Sequence, residues 1–188
     1  GISVAAQLPN LLENAYDPWY CWVDGDDRSS FDEVVEAVAT FVQDKGGILA
    51  GESMGGLIAT AAALKLSDAK KLDKLRGVVL VNPATSYDRT PWPLGGRLVS
   101  SAEGVAYAGA IGAAVGLLAS DGSMVSKSLQ EFSSLDFSGL ERAVNGAQAL
   151  ADLVPPETLK HRVENWLDGG CAKTNERLWR LRRKGRST

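Results

Sequence analysis

The chain has 188 residues, of which 45% are hydrophobic and 23% charged, a balance typical of one globular domain with a buried core. The formal net charge of −3 argues against an extended nucleic-acid-binding surface, since such surfaces are normally basic. Two cysteines far apart in sequence do not make a disulfide framework, and the most apolar stretch, residues 104–119, is shorter than the roughly 18 residues that a membrane span needs.

The first part of the chain predicts helices that alternate with strands. Residues 4–16 carry apolar side chains at helical spacing, and Tyr20–Val23 is a short aromatic and β-branched run, ending in a turn, that predicts a strand. Ser30 and Glu33 have the spacing of a capping box. They stand at the start of residues 31–44, whose single apolar stripe predicts a helix.

Two apolar runs then predict buried parallel strands. Ile48–Ala50 leads directly into a glycine-containing turn, and residues 57–66, rich in Ala and Leu, predict the helix that follows it. Residues 77–81 form the clearest strand signal in the chain and close with Asn82–Thr85. The alternation of helix and strand predicts the α/β class, a parallel sheet flanked by helices.

From residue 91 onward the sequence predicts helices without strands. Residues 140–154 and 156–167 each predict a helix, the second begun by Pro155 and Pro156. A helical insertion after a core strand is the usual form of a lid over an enzyme pocket. We therefore expect a single domain made of a core (1–86), a helical cap (87–170) and a return toward the core (171–188).

The segment Gly51–Glu52–Ser53–Met54–Gly55 matches the G-x-S-x-G pattern in the context that the pattern requires. A strand precedes it and a helix follows it, so that small residues allow a sharp turn and expose the serine hydroxyl at the positive end of the helix. The Met54 N–H would then face a developing oxyanion, and Gly56 would let helix and strand pack closely. We predict Ser53 as the nucleophile; the alternative is a glycine-rich connection with a passive serine.

A serine nucleophile needs a base and an acid, expected in the chain order Ser, Asp or Glu, His. The one histidine, His161, falls inside a predicted helix, which favours a surface or partly buried residue over a catalytic base. Asp88, Asp121 and Asp136 lie in the predicted cap, and none follows a readable strand. The triad is incomplete in this sequence, and we expect the acid and the base to lie beyond it.

Several segments resemble one known family, the plant and algal phytyl ester synthases. These plastid proteins of the esterase/lipase/thioesterase type join an α/β-hydrolase part to an acyltransferase-like part. The resemblance covers most of the chain in order, and Asn-Pro-Ala-Thr-Ser is its most specific piece. The segments that carry it are Asp26–Phe31, Leu49–Gly56, Val79–Ser86, Asp88–Trp92, Val154–Leu159 and Asn175–Leu178.

The resemblance implies a partial α/β-hydrolase domain in which Ser53 matches the nucleophile and Met54 the oxyanion donor, with Gly51, Gly55 and Gly56 in the elbow. It implies transfer of a fatty acyl group, from a donor such as acyl-CoA, acyl-ACP or a galactolipid, to phytol or diacylglycerol in a plastid. The family's aspartate, histidine, second oxyanion donor and acyltransferase-like region have no counterpart here. No targeting segment is readable in the chain, and no cofactor, metal or nucleic-acid partner is expected.

Three functions remain open at this point. The first is a serine acyltransferase with an alcohol acceptor; the second is a lipase or esterase with water as acceptor, which differs in how well the pocket excludes water. The third is a truncated, catalytically inactive hydrolase-like protein that acts in binding or not at all, which the missing second half of the triad favours.

Two further features have alternative interpretations. Residues 104–119 either line an acyl-chain tunnel or contact a lipid surface, or form a close-packed lid helix. The five tryptophans are expected to pack in the core or the cap. The basic residues from Arg177 to Arg186 are expected to form a solvated tail.

Overall fold

The computed structural model describes residues 2–89, 92–119, 148, 151–152 and 154–184. Its elements are α1 (Ile2–Glu13), α2 (Phe31–Lys45), β1 (Gly47–Glu52), α3 (Met54–Asp68), β2 (Leu75–Val81), a 3-10 segment (Ala84–Arg89), α4 (Trp92–Ser100), α5 (Gly104–Ala119), α6 (Pro156–Arg162), a π-helical segment (Val163–Asp168) and α7 (Gly169–Lys184). The chain divides into two compact units: the strand unit, residues 28–95 and 161–188, and the helical unit, residues 1–27 and 96–160.

Helix α2 begins where the capping box predicts. The Ser30 hydroxyl accepts a hydrogen bond from the Glu33 N–H at 3.3 Å, and the Glu33 carboxylate accepts one from the Ser30 N–H at 2.7 Å. Together these bonds satisfy two donors that a helix N-terminus otherwise leaves unpaired. Gly46, at φ 72°, ends the helix in a conformation that favours glycine, and the chain passes directly into β1.

The strand unit contains the predicted parallel sheet. Strands β1 and β2 pair in parallel, with Ile48 opposite Gly77 and Glu52 opposite Val81. Helix α3 connects the two strands, as parallel pairing requires, because a hairpin turn cannot join strands that run in the same direction. The α/β class predicted from the alternation of elements is confirmed.

The two strands are not buried as the apolar runs predicted. Ile48 is 61% exposed and Val79 49%, and alternation along the strands places both side chains on the same face of the sheet with Ala50. The buried side chains of this unit instead lie on the helices. They include Val34, Val35 and Val42 of α2, Leu57, Ala62 and Leu66 of α3, and Trp166.

The C-terminal helices differ from the prediction in extent. The helix predicted over 156–167 begins at Pro156 but changes to π-helical geometry at Val163 and continues as α7 to Lys184. The basic residues from Arg177 to Lys184 therefore belong to a helix and not to a tail. Arg177 pairs with Asp68 of α3. A Cβ on Gly170 would lie 2.9 Å from the Phe31 ring, so that α7 packs closely on α2.

The helical unit has a small core of its own. Tyr107, Ala108 and Ala151 are buried there, with Val99 and Leu159 packed against them. The first half of α5 is thus packed within this unit. No helix among the described residues is both long and apolar enough to cross a membrane. Most of the helix predicted over 140–154 lies outside the described residues, and the predicted domain boundaries stay a prediction.

The segment before the strand unit corrects two predictions. Tyr20–Val23 is irregular and not a strand; the nearby indole N–H groups of Trp19 and Trp22 bond locally, to the carboxylates of Asp17 and Asp24. Trp19 and Trp22 are 62% and 75% exposed, and Trp179 is also exposed, so the expectation that the tryptophans pack inside is wrong for these three. It holds for Trp166, which is 1% exposed.

Candidate active site at Ser53

Ser53 occupies the turn between the last residue of β1 and the first residue of α3. Its backbone has φ 52° and ψ −118°, a region that residues other than glycine rarely enter and that costs about 1–3 kcal/mol. The side chain is exposed and makes no capping hydrogen bond to α3. The turn therefore presents the hydroxyl to solvent and does not use it to hold the helix.

Hydrogen bonds to β2 and its following loop hold this strained conformation. The Ser53 N–H donates to the Val81 carbonyl at 3.0 Å, and the Ser53 carbonyl accepts from the Ala84 N–H at 2.8 Å. The same carbonyl accepts from the first turn of α3, through the N–H groups of Gly56 and Leu57 at 3.0 and 3.3 Å. Hydrogen bonds to β2, to the loop after it and to α3 thus hold the Ser53 backbone in its strained conformation.

The three glycines predicted for the elbow are not equivalent. A Cβ on Gly51 would lie 2.7 Å from the Gly55 carbonyl carbon, and a Cβ on Gly56 would lie 2.8 Å from the Pro83 Cβ. A Cβ on Gly55 would meet nothing within 4 Å. The tight turn therefore requires the absence of a side chain at Gly51 and Gly56, whereas Gly55 has room for one.

Met54 is the first residue of α3, immediately after Ser53. N–H groups in the first turn of a helix have no acceptor within the helix, and the helix dipole makes this end positive. A backbone donor with this position suits a negative charge that develops beside the serine oxygen. The prediction that the Met54 N–H binds the oxyanion stays a prediction.

His161 is part of a hydrogen-bonded cluster with Ser29. Its Nε2 lies 3.1 Å from the Ser29 carbonyl oxygen, and its Nδ1 lies 3.2 Å from the Asn165 amide nitrogen. A carbonyl can only accept, so Nε2 carries the hydrogen and Nδ1 accepts from the amide. The Trp166 indole N–H donates to the same Ser29 carbonyl at 2.8 Å. Both imidazole nitrogens are therefore engaged, in the partly buried helical setting that the sequence favoured.

Of the candidate acids, only Asp88 lies among the described residues, and it makes no hydrogen bond to Ser53. Asp88 is exposed in the 3-10 segment, 3.5 Å from the Asn175 amide nitrogen, while Asp121 and Asp136 lie outside the described residues. Within the described ranges, no hydrogen bond joins His161 or Asp88 to Ser53. The described part of the chain also holds no group of three His, Cys, Asp or Glu side chains suited to a metal ion.

Two residues near the elbow were not singled out as functional from the sequence. Asn82 directly follows β2 and has φ 42°, the second positive φ at this edge of the sheet. Cys171 of α7 is fully buried, and its thiol donates to the Ala84 carbonyl at 2.9 Å. Burial, with a smaller contribution from the Asp88 carboxylate, raises the pKa of this thiol to about 11. In the sequence, a functional role for Asn82 could have been inferred from its position at the carboxyl end of a predicted parallel strand, where α/β proteins bind ligands.

Comparison with known proteins agrees with this geometry. The model of the Alpha/beta hydrolase family matches residues 4–184, nearly the whole chain. No curated protein and no solved structure gives a significant match. The parallel strands, the connecting helix and the strained serine at the strand-to-helix turn agree with that family match. The chain belongs to the α/β hydrolase family.

Proposed function

We propose that this chain carries the nucleophile of a serine enzyme that acts on lipid carboxylic esters through an acyl-serine intermediate. The observation that carries the proposal is the exposed Ser53 at φ 52° and ψ −118° between β1 and α3. Membership of the α/β hydrolase family supports a general hydrolase or esterase type of function. The cost of the strained backbone is typical of residues that a fold holds for chemistry.

In the proposed reaction the Ser53 Oγ attacks the ester carbonyl carbon. The resulting oxyanion accepts a hydrogen bond from the Met54 N–H, and the bond to the leaving alcohol then breaks. The serine proton passes through a general base to the leaving alkoxide. His161 is not that base in the arrangement described, because Nε2 is protonated and bonded to Ser29 while Nδ1 accepts from Asn165.

The acyl acceptor that we propose is a lipid alcohol, phytol or diacylglycerol, in a plastid. The support is the resemblance to phytyl ester synthases, whose most specific segment here is Asn82–Ser86. One residue of that segment, Ala84, donates its N–H to the Ser53 carbonyl at 2.8 Å. The part of the sequence that most resembles the family is therefore in direct contact with the proposed nucleophile.

Reaction with a fluorophosphonate probe tests the nucleophile. In a full-length version of the protein that supplies the general base, we expect covalent labelling at Ser53, located by mass spectrometry of the digested protein, and loss of labelling in Ser53→Ala. Ser101→Ala is the matched control, because it removes an exposed hydroxyl that bonds only locally, to the Leu98 carbonyl. Equal labelling of wild type and Ser53→Ala would remove the assignment.

Competition among acceptors tests the finer proposal. An acyl donor is supplied with phytol, diacylglycerol and water together, and the products are quantified. Phytyl ester or triacylglycerol as the main product supports acyl transfer. Free fatty acid as the main product shows a lipase or esterase, because water then reaches the acyl-serine before an alcohol does.

A second candidate function is binding without catalysis, which the full engagement of the His161 ring favours. Two variants test whether His161 is structural or acts as the base. His161→Ala removes the imidazole, and Asn165→Ala removes only one hydrogen-bond partner of the imidazole. If His161 is structural, neither variant changes the Ser53 labelling rate. A folded full-length wild type that is never labelled supports the binding function. Loss of labelling in His161→Ala alone would instead make His161 the base.

A further inference from the structure

Asn82 lies beside Ser53 at the carboxyl edge of the sheet. Glu52 and Val81 are partners in the parallel register, so the residue that follows each strand, Ser53 or Asn82, comes at the same level. The Ser53 N–H bonds to Val81 and the Ser53 carbonyl bonds to Ala84. Asn82 is therefore in the two-residue segment that these hydrogen bonds bracket.

The segment that contains Asn82 is held firmly against the elbow. Gly56, in the first turn of α3, lies so close to Pro83 that a Cβ would be 2.8 Å from the Pro83 Cβ. The Ala84 N–H is committed to Ser53, and the Ala84 carbonyl accepts from the Cys171 thiol. The backbone of this segment consequently has a defined place relative to the serine, as a preorganised site requires.

The backbone of Asn82 does not by itself explain the amide. Its φ of 42° is in the left-handed region, which asparagine enters more easily than most residues but glycine enters at no steric cost. The residue is exposed, so its side chain fills no core. The carboxamide supplies two N–H donors and carries no charge, which suits an oxygen that becomes negative during ester attack.

We propose that Asn82 is a substrate-binding residue of the Ser53 site, whose carboxamide donates a hydrogen bond to an oxygen of the ester that Ser53 attacks. This inference rests on the proposed function and names a residue beyond it. The positive φ angles of Ser53 and Asn82 then serve the same reaction. They place a nucleophile and a neutral donor at the ends of adjacent strands.

The test separates the side chain from the backbone with Asn82→Gly, which keeps the positive φ and removes the amide. Asn82→Asp keeps the size and replaces the donor with a negative charge. The rate of Ser53 acylation by p-nitrophenyl butyrate is measured in a single turnover on a full-length version of the protein that supplies the general base, with the acyl group located by mass spectrometry. Lys70→Gly is the matched control, because Lys70 also has positive φ, 55°, but lies in the turn after α3.

We expect Asn82→Gly to acylate about tenfold to a hundredfold more slowly than wild type, the effect of losing a hydrogen bond to a charged group. Asn82→Asp should be slower still, because its carboxylate repels the developing oxyanion. Lys70→Gly should acylate at the wild-type rate. The thermal unfolding midpoint of Asn82→Gly should not fall, since glycine relieves the backbone strain.

The possible results distinguish this inference from the proposed function. If Asn82→Gly acylates as fast as wild type, asparagine serves only the backbone and the inference is wrong, while Ser53 remains the nucleophile. If wild type forms no acyl-Ser53, the proposed function fails and the inference fails with it. Should Asn82→Gly lose its folded structure, Asn82→Asp decides, and a wild-type rate in that variant overturns the inference.

Discussion

Ser53 and Asn82 both have positive φ, and they stand at the ends of neighbouring strands. Strain of about 1–3 kcal/mol at Ser53 persists only where surrounding contacts hold it. Here the contacts are the bonds from Ser53 to Val81 and Ala84 and the close packing of Gly56 on Pro83. Two of the four described non-glycine residues with positive φ therefore lie where the hydroxyl of the predicted nucleophile is presented.

Replacing an elbow glycine with alanine should change the unfolding free energy in opposite directions at Gly51 and Gly55. Gly51→Ala should destabilise the fold by about 1–3 kcal/mol, because the new methyl overlaps the Gly55 backbone. Gly55→Ala should be neutral or stabilising by up to about 1 kcal/mol, because the site is open and helical. Urea unfolding of the two variants measures both effects. Equal destabilisation would contradict the turn geometry described.

At the scale of elements, α7 is tied to the loop that holds the elbow. The Cys171 thiol donates to the Ala84 carbonyl, and the Asn175 amide donates to the Thr85 carbonyl at 2.7 Å. Ala84 in turn donates its N–H to Ser53. A helix distant in sequence thus supports the serine turn through one intervening residue.

The burial of Cys171 predicts how its thiol reacts. At pH 8, iodoacetamide should modify the exposed Cys21 and leave Cys171 intact, because only the thiolate reacts and Cys171 is both buried and protonated. In urea both cysteines should react. Mass spectrometry of the alkylated protein measures the ratio. Rapid modification of Cys171 in the folded chain would show that α7 is not docked on Ala84.

The same thiol gives a pH dependence of stability. Its pKa rises from 9.0 to about 11 on folding, so the folded state favours the protonated form. This contribution is complete below pH 9 and is lost as the pH rises toward about 11. Wild type should therefore lose more unfolding free energy across this range than Cys171→Ala does.

At the scale of the whole molecule, the apolar interior of the strand unit lies among helices and not on the sheet. Leu57 of α3 is 0% exposed, whereas Val79 of β2 is 49% exposed. Leu57→Ala should cost about 2–5 kcal/mol of unfolding free energy, because it leaves a cavity. Val79→Thr should cost less than about 1 kcal/mol, because a half-exposed β-branched side chain is replaced by another. Denaturant unfolding compares the two, and a large loss in Val79→Thr would show that the sheet face is covered.

Local sequence signals were sufficient for much of the fold. The capping box at Ser30 and Glu33, the apolar stripe of α2 and the strand–elbow–helix order around Ser53 depend on residues within a few positions of one another. Each of these features is present in the structure, and the elbow also supports the family assignment. The glycine requirement at Gly51 follows equally from the tightness of a local turn.

Contacts between distant residues decided the rest. Tyr20–Val23 has strand-like composition, but a strand also needs a neighbour with which to pair, and composition does not supply one. The pairing of His161 with Ser29 joins residues 132 positions apart, and the contact of Cys171 with Ala84 joins residues 87 apart. The sequence alone determined the α/β class and the serine turn, since both arise from short-range geometry. The tertiary structure decided that the histidine is engaged elsewhere and that Asn82 adjoins Ser53, because strand register and helix docking depend on the whole chain.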